Sequence, residues 1–449
     1  MSGPGVKAFE TQFEFSGARG HAVVVEFGKA WRFVFWDKAQ YVGCVDLGKG
    51  VMFTPEWCEV NSPNDEECYE PIMDKRLRWS TVEILESGPA RARVKWRYAL
   101  NDMRYKVFHG NTTAEEIYTI YPDGVAVREV VLWPGTASNH GGNANFWQVE
   151  EYILINAAGT RPTDCIRAPE ALTLRSGMGD AVNVSWPLPA VPGPICDHFP
   201  QVTEWSNYVG TVGLRGTPSP FTIIPKSQAL FPYIRCAKCG KDHPFMKIFG
   251  RQEGDPIYSH WPGTEREDFI LGSLALDQVG KITTHTSLMN CNYSWRTSDD
   301  DFVPTPFPGT TWYMLVGAIP EKSDPAELDR LTMSWRRPAA VVLTRPGEKG
   351  DPRRGRVVFE GFDYSIRAYA FRQHDEQDRV EFTLDPAAPV VNPAFRLMNW
   401  TSAPENVRVR VNGADLRPGS YAAQTSGRDL VVWADGTWSS KATVGFYGE

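Results

Sequence analysis

Between Ala90 and Tyr98 the chain alternates without a break. Arg91, Arg93, Lys95 and Arg97 fall on one side, and Ala92, Val94, Trp96 and Tyr98 on the other. A period of two is the pattern of a strand with one face on a core and one toward water. A hairpin follows: Ile117–Tyr121 and Val125–Trp133 flank Pro122-Asp123-Gly124, a turn-forming triplet. Further strands are predicted at His21–Phe27, Trp31–Trp36, Val82–Leu85, Trp147–Ile155, Phe269–Leu276, Lys281–Leu288 and Trp312–Ala318. Helix signals are scarce. The best is Asp324-Pro325 opening Ala326 to Trp335, with Asp as N-cap and Pro at the first helical position.

A polar, turn-rich stretch from Arg345 to Pro352 reads as a linker. Short strands recur beyond it at Arg356–Phe359, Ser365–Phe371, Val380–Leu384, Val407–Val411 and Leu430–Trp433, the fourth closed by Asn412-Gly413. The chain is therefore expected to be all-β, with one large antiparallel unit over 1–340 and a small C-terminal β-sandwich over 345–449. No internal repeat is visible, which argues against propellers and solenoids.

The net charge is −7, so bulk electrostatics exclude a nucleic-acid binder. No apolar run is long enough to span a membrane as a helix. The opening Met1-Ser2-Gly3-Pro4-Gly5 has no basic and apolar signal region. The expectation is a secreted or periplasmic protein with its signal removed, a cytoplasmic location being the alternative. Eight cysteines permit disulfides without requiring them. Aromatic residues are 12% of the chain, which suits a β core and also suits clefts that stack on sugar rings.

Several constellations could carry chemistry. The four cations of Arg91 to Arg97 make a stripe ~20 Å long, matched in length to a polyanionic chain; the plainer account is a solvated face opposed by acidic strands. His140 lies in a polar, Gly-rich loop before a strand bearing Trp147, Gln148 and Glu150. Tyr258 and His260, in Tyr258-Ser259-His260-Trp261-Pro262, share one side of an extended segment. His285 stands on the Lys281–Leu288 strand. A Tyr–His pair suits β-elimination, in which one group removes the proton beside a carboxylate and another protonates the leaving oxygen. A phenol needs a nearby cation such as Arg128 or Arg266 to act as a base, and Arg128 with Gln148 could neutralise the substrate carboxylate. The run Asp299 to Asp301 reads as a solvated turn rather than a glycosidase pair. Cys236, Cys239 and His243 form one half of a metal-binding pattern, alternatively a disulfide or free thiols. No phosphate loop, dinucleotide fingerprint or nucleophile elbow is present.

Three blocks carry a family resemblance: Cys68 to Lys75, Ala90 to Leu100 and Ile120 to Val125. Together with the Tyr258–Pro262 and His285–Leu288 motifs, they resemble bacterial proteins with a galactose-mutarotase-like β-supersandwich. Some of these are similar to lyases acting on uronate-containing glycans such as ulvan. The resemblance covers scattered blocks between roughly residues 30 and 320. It implies a supersandwich with a concave sheet face as its cleft, and β-elimination as its chemistry. It departs from many such lyases in leaving no room for an α/α-toroid.

The function expected from the sequence is therefore a polysaccharide lyase acting on an acidic glycan. His260 or His140 would be the base and Tyr258 the acid, with Arg128 and Gln148 holding the carboxylate. Trp147, Trp261, Arg266, Lys75, Glu150 and His285 would bind substrate. No redox cofactor is required; a structural zinc or calcium ion is the one metal expected. The partner is the acidic polysaccharide, with neither nucleic acid nor membrane, in a monomer or homo-oligomer. The alternatives are a hydrolase or epimerase on the same fold, which would depend on carboxylates such as Glu150 or Glu70, and a non-catalytic glycan-binding or structural protein.

Overall fold

A computed structural model describes residues 5–55, 58–61, 68–102, 104–133, 146–160, 162–185, 205–225, 234–235, 242–243, 257–258, 284–293, 310–344, 357–374 and 378–448. The all-β expectation holds. Among these residues, two large antiparallel sheets dominate the first three quarters of the chain. One runs Lys7–Phe15, Ala18–Glu26, Arg32–Trp36, Gly43–Asp46, Val51–Pro55, Phe146–Asn156, Thr284–Tyr293, Ile257–Tyr258, with Glu59–Asn61 and Cys68–Tyr69 branching from the Phe146–Asn156 strand. The other runs Ala181–Ser185, Glu170–Arg175, Asn207–Val212, Ser219–Pro225, Thr310–Ile319, Val125–Trp133, Thr113–Ile120, Ala92–Ala99, Thr81–Ser87. We call them the N-sheet and the M-sheet.

The alternation that defines the Ala92–Ala99 strand explains how the sheets meet. Ala92, Val94, Trp96 and Tyr98 are buried, in one cluster with Phe33, Phe35 and Phe53 of the N-sheet. Phe35 meets the edge of Tyr118 at a centroid distance of 5.0 Å. Tyr152 of the N-sheet hydrogen-bonds Thr222 of the M-sheet. Burying an aromatic or branched side chain of this kind stabilises the fold by about 1.5–3 kcal/mol.

The expected hairpin forms around Pro122-Asp123-Gly124, where Gly124 N–H donates to Tyr121 O and Asp123 Oδ1 accepts from Val125 N–H. Gly124 has φ 78°, and a Cβ there would lie 2.7 Å from Phe27 and 2.9 Å from Trp31, so only glycine fits. The helix is Ala326–Arg336 and its N-cap is Pro325, one residue later than the sequence suggests. The Asp324 carboxylate still accepts the Ala326 N–H at 3.0 Å.

The predicted linker, Arg345 to Pro352, lies outside the described residues. Two five-stranded sheets make up the C-terminal part. One contains Ala340–Leu343, Arg379–Asp385, Ala442–Gly448, Val407–Val411 and Ala414–Asp415; the other contains Val357–Asp363, Ala368–Gln373, Ala394–Met398, Asp429–Ala434 and Tyr421–Ser426. Ala368–Gln373 and Ala394–Met398 pair in parallel. A core of Phe371, Phe382, Phe395 and Phe446 fills the space between them. This sandwich is fastened to the M-sheet by buried polar contacts. Gln424 Oε1 accepts the Ala90 and Arg91 N–H groups at 2.7 and 2.8 Å. Arg367 donates to Asp123 at 2.6 Å, and Asn392 donates to the same carboxylate oxygen at 3.2 Å.

Candidate functional site

Strand register brings the Tyr258 and His285 segments together. Tyr258 lies directly opposite His285, and His285 lies opposite Ile155. The same rung continues through Met52 and Asp46 to Arg32. The neighbouring rung, Phe33–Val45–Phe53–Leu154, faces the M-sheet, because Phe33 packs near Tyr118. Adjacent positions along a strand alternate faces. Arg32, Asp46, Met52 and Ile155 therefore belong to the N-sheet's outer face, away from the M-sheet, and His285 and Tyr258 hold the register positions that continue their rung. Met52 and Ile155 in its middle are buried. At its other end Arg32 Nε donates to Asp46 at 3.0 Å.

The strands Phe146–Asn156 and Thr284–Tyr293 that build this rung pair irregularly. Their register shifts between Gln148 and Glu150 and again between Glu151 and Ile153. Such bulges re-aim a strand and are frequent beside active sites. Beyond the shifts lies a second polar rung, Glu59–Gln148–Asn292, with Glu150 opposite Cys291 and Trp147 opposite Tyr293. Gln148 is seven residues from Ile155, about 23 Å along a strand. Gln148, Glu150 and Trp147 therefore stand on different rungs from Tyr258 and His285.

Arg128 does not reach this face. It is 1% exposed and sits between the sheets, with Nε and Nη2 donating to Glu116 at 2.7 and 2.8 Å. The Tyr98 and Tyr118 hydroxyls donate to the same carboxylate at 2.8 and 2.9 Å, and Cys58 N–H donates to the Tyr98 hydroxyl at 3.3 Å. Burial pushes both phenols well above the usual tyrosine range, and it pushes the Cys58 thiol up to about 12. This is a buried structural network, and the expected carboxylate-neutralising role for Arg128 is corrected accordingly: its charge is already engaged by Glu116.

The basic stripe does not serve as a polyanion track either. Its residues occupy the M-sheet face opposite to Ala92, Val94, Trp96 and Tyr98, so they point away from both the core and the N-sheet. Arg91 pairs with Glu86 at 2.9 Å and Lys95 with Glu83 at 2.7 Å. Arg97 lies opposite Glu115. Two of its four cations are thus paired with carboxylates of the neighbouring Thr81–Ser87 strand.

Lys75 follows the short turn Pro71–Met73 and is half-buried. Burial pushes its ammonium down to about 8, with Glu70 pulling the other way. An unfolded lysine titrates near ~10.4, so between about pH 8 and ~10.4 the unfolded chain binds the extra proton. This group's contribution to stability therefore rises with pH across that window. Amine-specific labelling of Lys75, read by peptide mass spectrometry, is expected to reach half its limiting rate near pH 8.

His243 is opposite Ile234 in the pair Ile234–Arg235 and Asp242–His243. Its expected co-ligands Cys236 and Cys239 lie outside the described residues, as do His140, His260, Trp261, Arg266, the Asp299 to Asp301 run and the predicted strand Phe269–Leu276. Among the described residues, no group of His, Cys, Asp and Glu could hold a metal ion, and no helix is long and apolar enough to cross a membrane.

Sequence reasoning misses two features. One is Glu116, although its signal is present: a carboxylate in the buried stripe Ala114, Glu116, Tyr118, Ile120, beside Arg128 in the stripe Ala126, Arg128, Val130, Leu132. The other is the direct Tyr258–His285 pairing, which no local pattern announces.

No family model matches this chain, and no curated protein does. Among solved structures, the galactose 1-epimerase from Lactobacillus acidophilus NCFM overlaps 70% of this chain and 98% of its own, at 8% identity and a TM-score of 0.29. A copper-containing benzylamine oxidase from Hansenula polymorpha overlaps 62% of this chain and 45% of its own, at 7% identity and a TM-score of 0.23. Overlap at this level carries no assignment of chemistry, and neither structure carries the resemblance to ulvan-type lyases.

Proposed function

We propose that this protein is a carbohydrate-active enzyme that moves protons on a sugar through Tyr258 and His285. The observation that supports the reading is the register that sets a phenol-bearing residue directly opposite an imidazole-bearing one. An imidazole titrates near neutrality and a phenol does not, so the pair divides naturally into base and acid. In the first form of the reaction, the His285 imidazole takes the proton beside a uronate carboxylate. Tyr258 then protonates the departing glycosidic oxygen, giving an unsaturated sugar. His260, two residues from Tyr258 in sequence, would serve as a second imidazole for this step, and Arg266 as a cation for the carboxylate.

A second reading is favoured by where the cations lie. Among the described residues the one cation on the rung, Arg32, is held by Asp46, while Arg128 is paired with Glu116 and the Arg91–Arg97 stripe lies on the M-sheet. A rung without an available cation suits a neutral sugar, and the same acid–base pair would then epimerise rather than eliminate.

Products decide between these readings. The protein is incubated with ulvan, alginate, pectin and glycosaminoglycans, and separately with neutral aldoses. Ultraviolet-absorbing unsaturated oligosaccharides identify the lyase. Saturated isomers from the aldoses identify the epimerase. No turnover of either kind contradicts an enzymatic role for the pair.

A further inference from the structure

The Arg32–Asp46 end of the rung opens onto three adjoining clefts. The first, of about 400 Å³, is bounded by Arg32, Asp46 and the turn Glu26 to Lys29. That turn also walls the second, of about 940 Å³, which lies between the first strand, the Pro122-Asp123 hairpin and the C-terminal sandwich. The segment Ser87 to Pro89 passes from the second into a third, of about 580 Å³, over Tyr421 and Gln424. The middle cleft is the size of a typical small-molecule site, and the three in sequence suit a ligand longer than one sugar.

The lining tells what kind of ligand fits. Exposed Lys7 and Lys29 stand against exposed Glu26 and Asp435, while Asp123 is engaged by Arg367. The charges balance, so neither a polyanion nor a polycation is favoured. Donors and acceptors are interleaved, which suits hydroxyl groups that both give and take hydrogen bonds. Trp433 on the same wall is buried and gives the groove an apolar floor.

We propose that this junction groove binds an uncharged, hydroxyl-rich oligosaccharide. The bound chain would run from the Arg32–Asp46 end of the rung across the contact between the two sandwiches. Asp46 is three strand spacings from His285, about 14 Å, and the intervening Met52 and Ile155 are buried, so the groove is a binding site apart from the Tyr258–His285 positions. The proposal rests on the preceding reading only for the sugar nature of the ligand.

The test is calorimetric titration of the intact chain with cellohexaose, xylohexaose and mannohexaose, alongside the variants Lys29→Ala, Asp435→Ala and Lys441→Ala. Lys29 and Asp435 are exposed, so their removal leaves the fold intact. At least one hexaose is expected to bind, roughly tenfold more weakly to Lys29→Ala and to Asp435→Ala. Affinity is expected to be unchanged in Lys441→Ala, which lies outside the groove. Failure of all three hexaoses to bind, or binding unaffected by Lys29→Ala and Asp435→Ala, overturns the groove. Binding of a hexaose without turnover of any of the acidic glycans or aldoses would instead remove the catalytic reading and leave the groove standing.

Discussion

Replacing Arg128 by Met is expected to cost about 3–5 kcal/mol of stability. The reason is what remains behind. Glu116 is 0% exposed, and its carboxylate is held by both Arg128 nitrogens and by the Tyr98 and Tyr118 hydroxyls. Without the guanidinium, two phenols alone must compensate a buried charge. The damage is expected to spread, because Arg128 Nη1 also reaches Pro55 O at 3.4 Å and Tyr98 receives Cys58 N–H, so the network ties the M-sheet to the N-sheet. Urea unfolding followed by tryptophan fluorescence measures the loss. The double variant Arg128→Met, Glu116→Leu is expected to recover most of it, since neither partner then strands a charge. Wild-type stability in the single variant would contradict the buried pair.

Substituting the proposed acid–base pair is expected to have the largest effect on turnover. His285→Gln and Tyr258→Phe each remove a proton-transfer group while keeping similar bulk, and each should lower the rate by about 10²–10⁴-fold. Groups that act as a unit are not additive, so the double variant should be little worse than the poorer single one. Glu150→Gln serves as the comparison. Its register partner is Cys291, off the Tyr258–His285 rung, and it should leave the rate unchanged. Rates are read on whichever substrate gives product, with wild-type thermal unfolding as the check on folding. Equal rates in wild type, His285→Gln and Tyr258→Phe would remove both residues from the chemistry.

The fold is legible where its signals are local. The alternation from Ala92 to Tyr98 and the Pro122-Asp123-Gly124 turn fix strand, face and hairpin within a few residues of one another. The helix start is displaced by one residue because Asp324 caps through its side chain from a position before Pro325. The charged stripe misleads for a structural reason: its counter-charges Glu83, Glu86 and Glu115 lie on the two neighbouring strands, and only the register shows that they meet the cations. Arg128 looks available because a strand read alone does not weigh a cation against a carboxylate on the other arm of its hairpin. The Tyr258–His285 rung is the least legible element. It assembles strands from Arg32 to His285, and that register is set by long-range pairing rather than by any nearby turn.

That pairing can be measured without a substrate. Residues directly opposite in an antiparallel pair have Cα atoms about 4.5–5.5 Å apart, within the range a disulfide spans. In the double variant Tyr258→Cys, His285→Cys, mild oxidation is expected to link positions 258 and 285 within one chain, seen as a joined peptide pair by mass spectrometry. A control with cysteines at Tyr258 and Asn292, which stand on different rungs, is expected to remain unlinked. Absence of the 258–285 link, or equal linking in the control, would contradict the shared rung on which the functional reading stands.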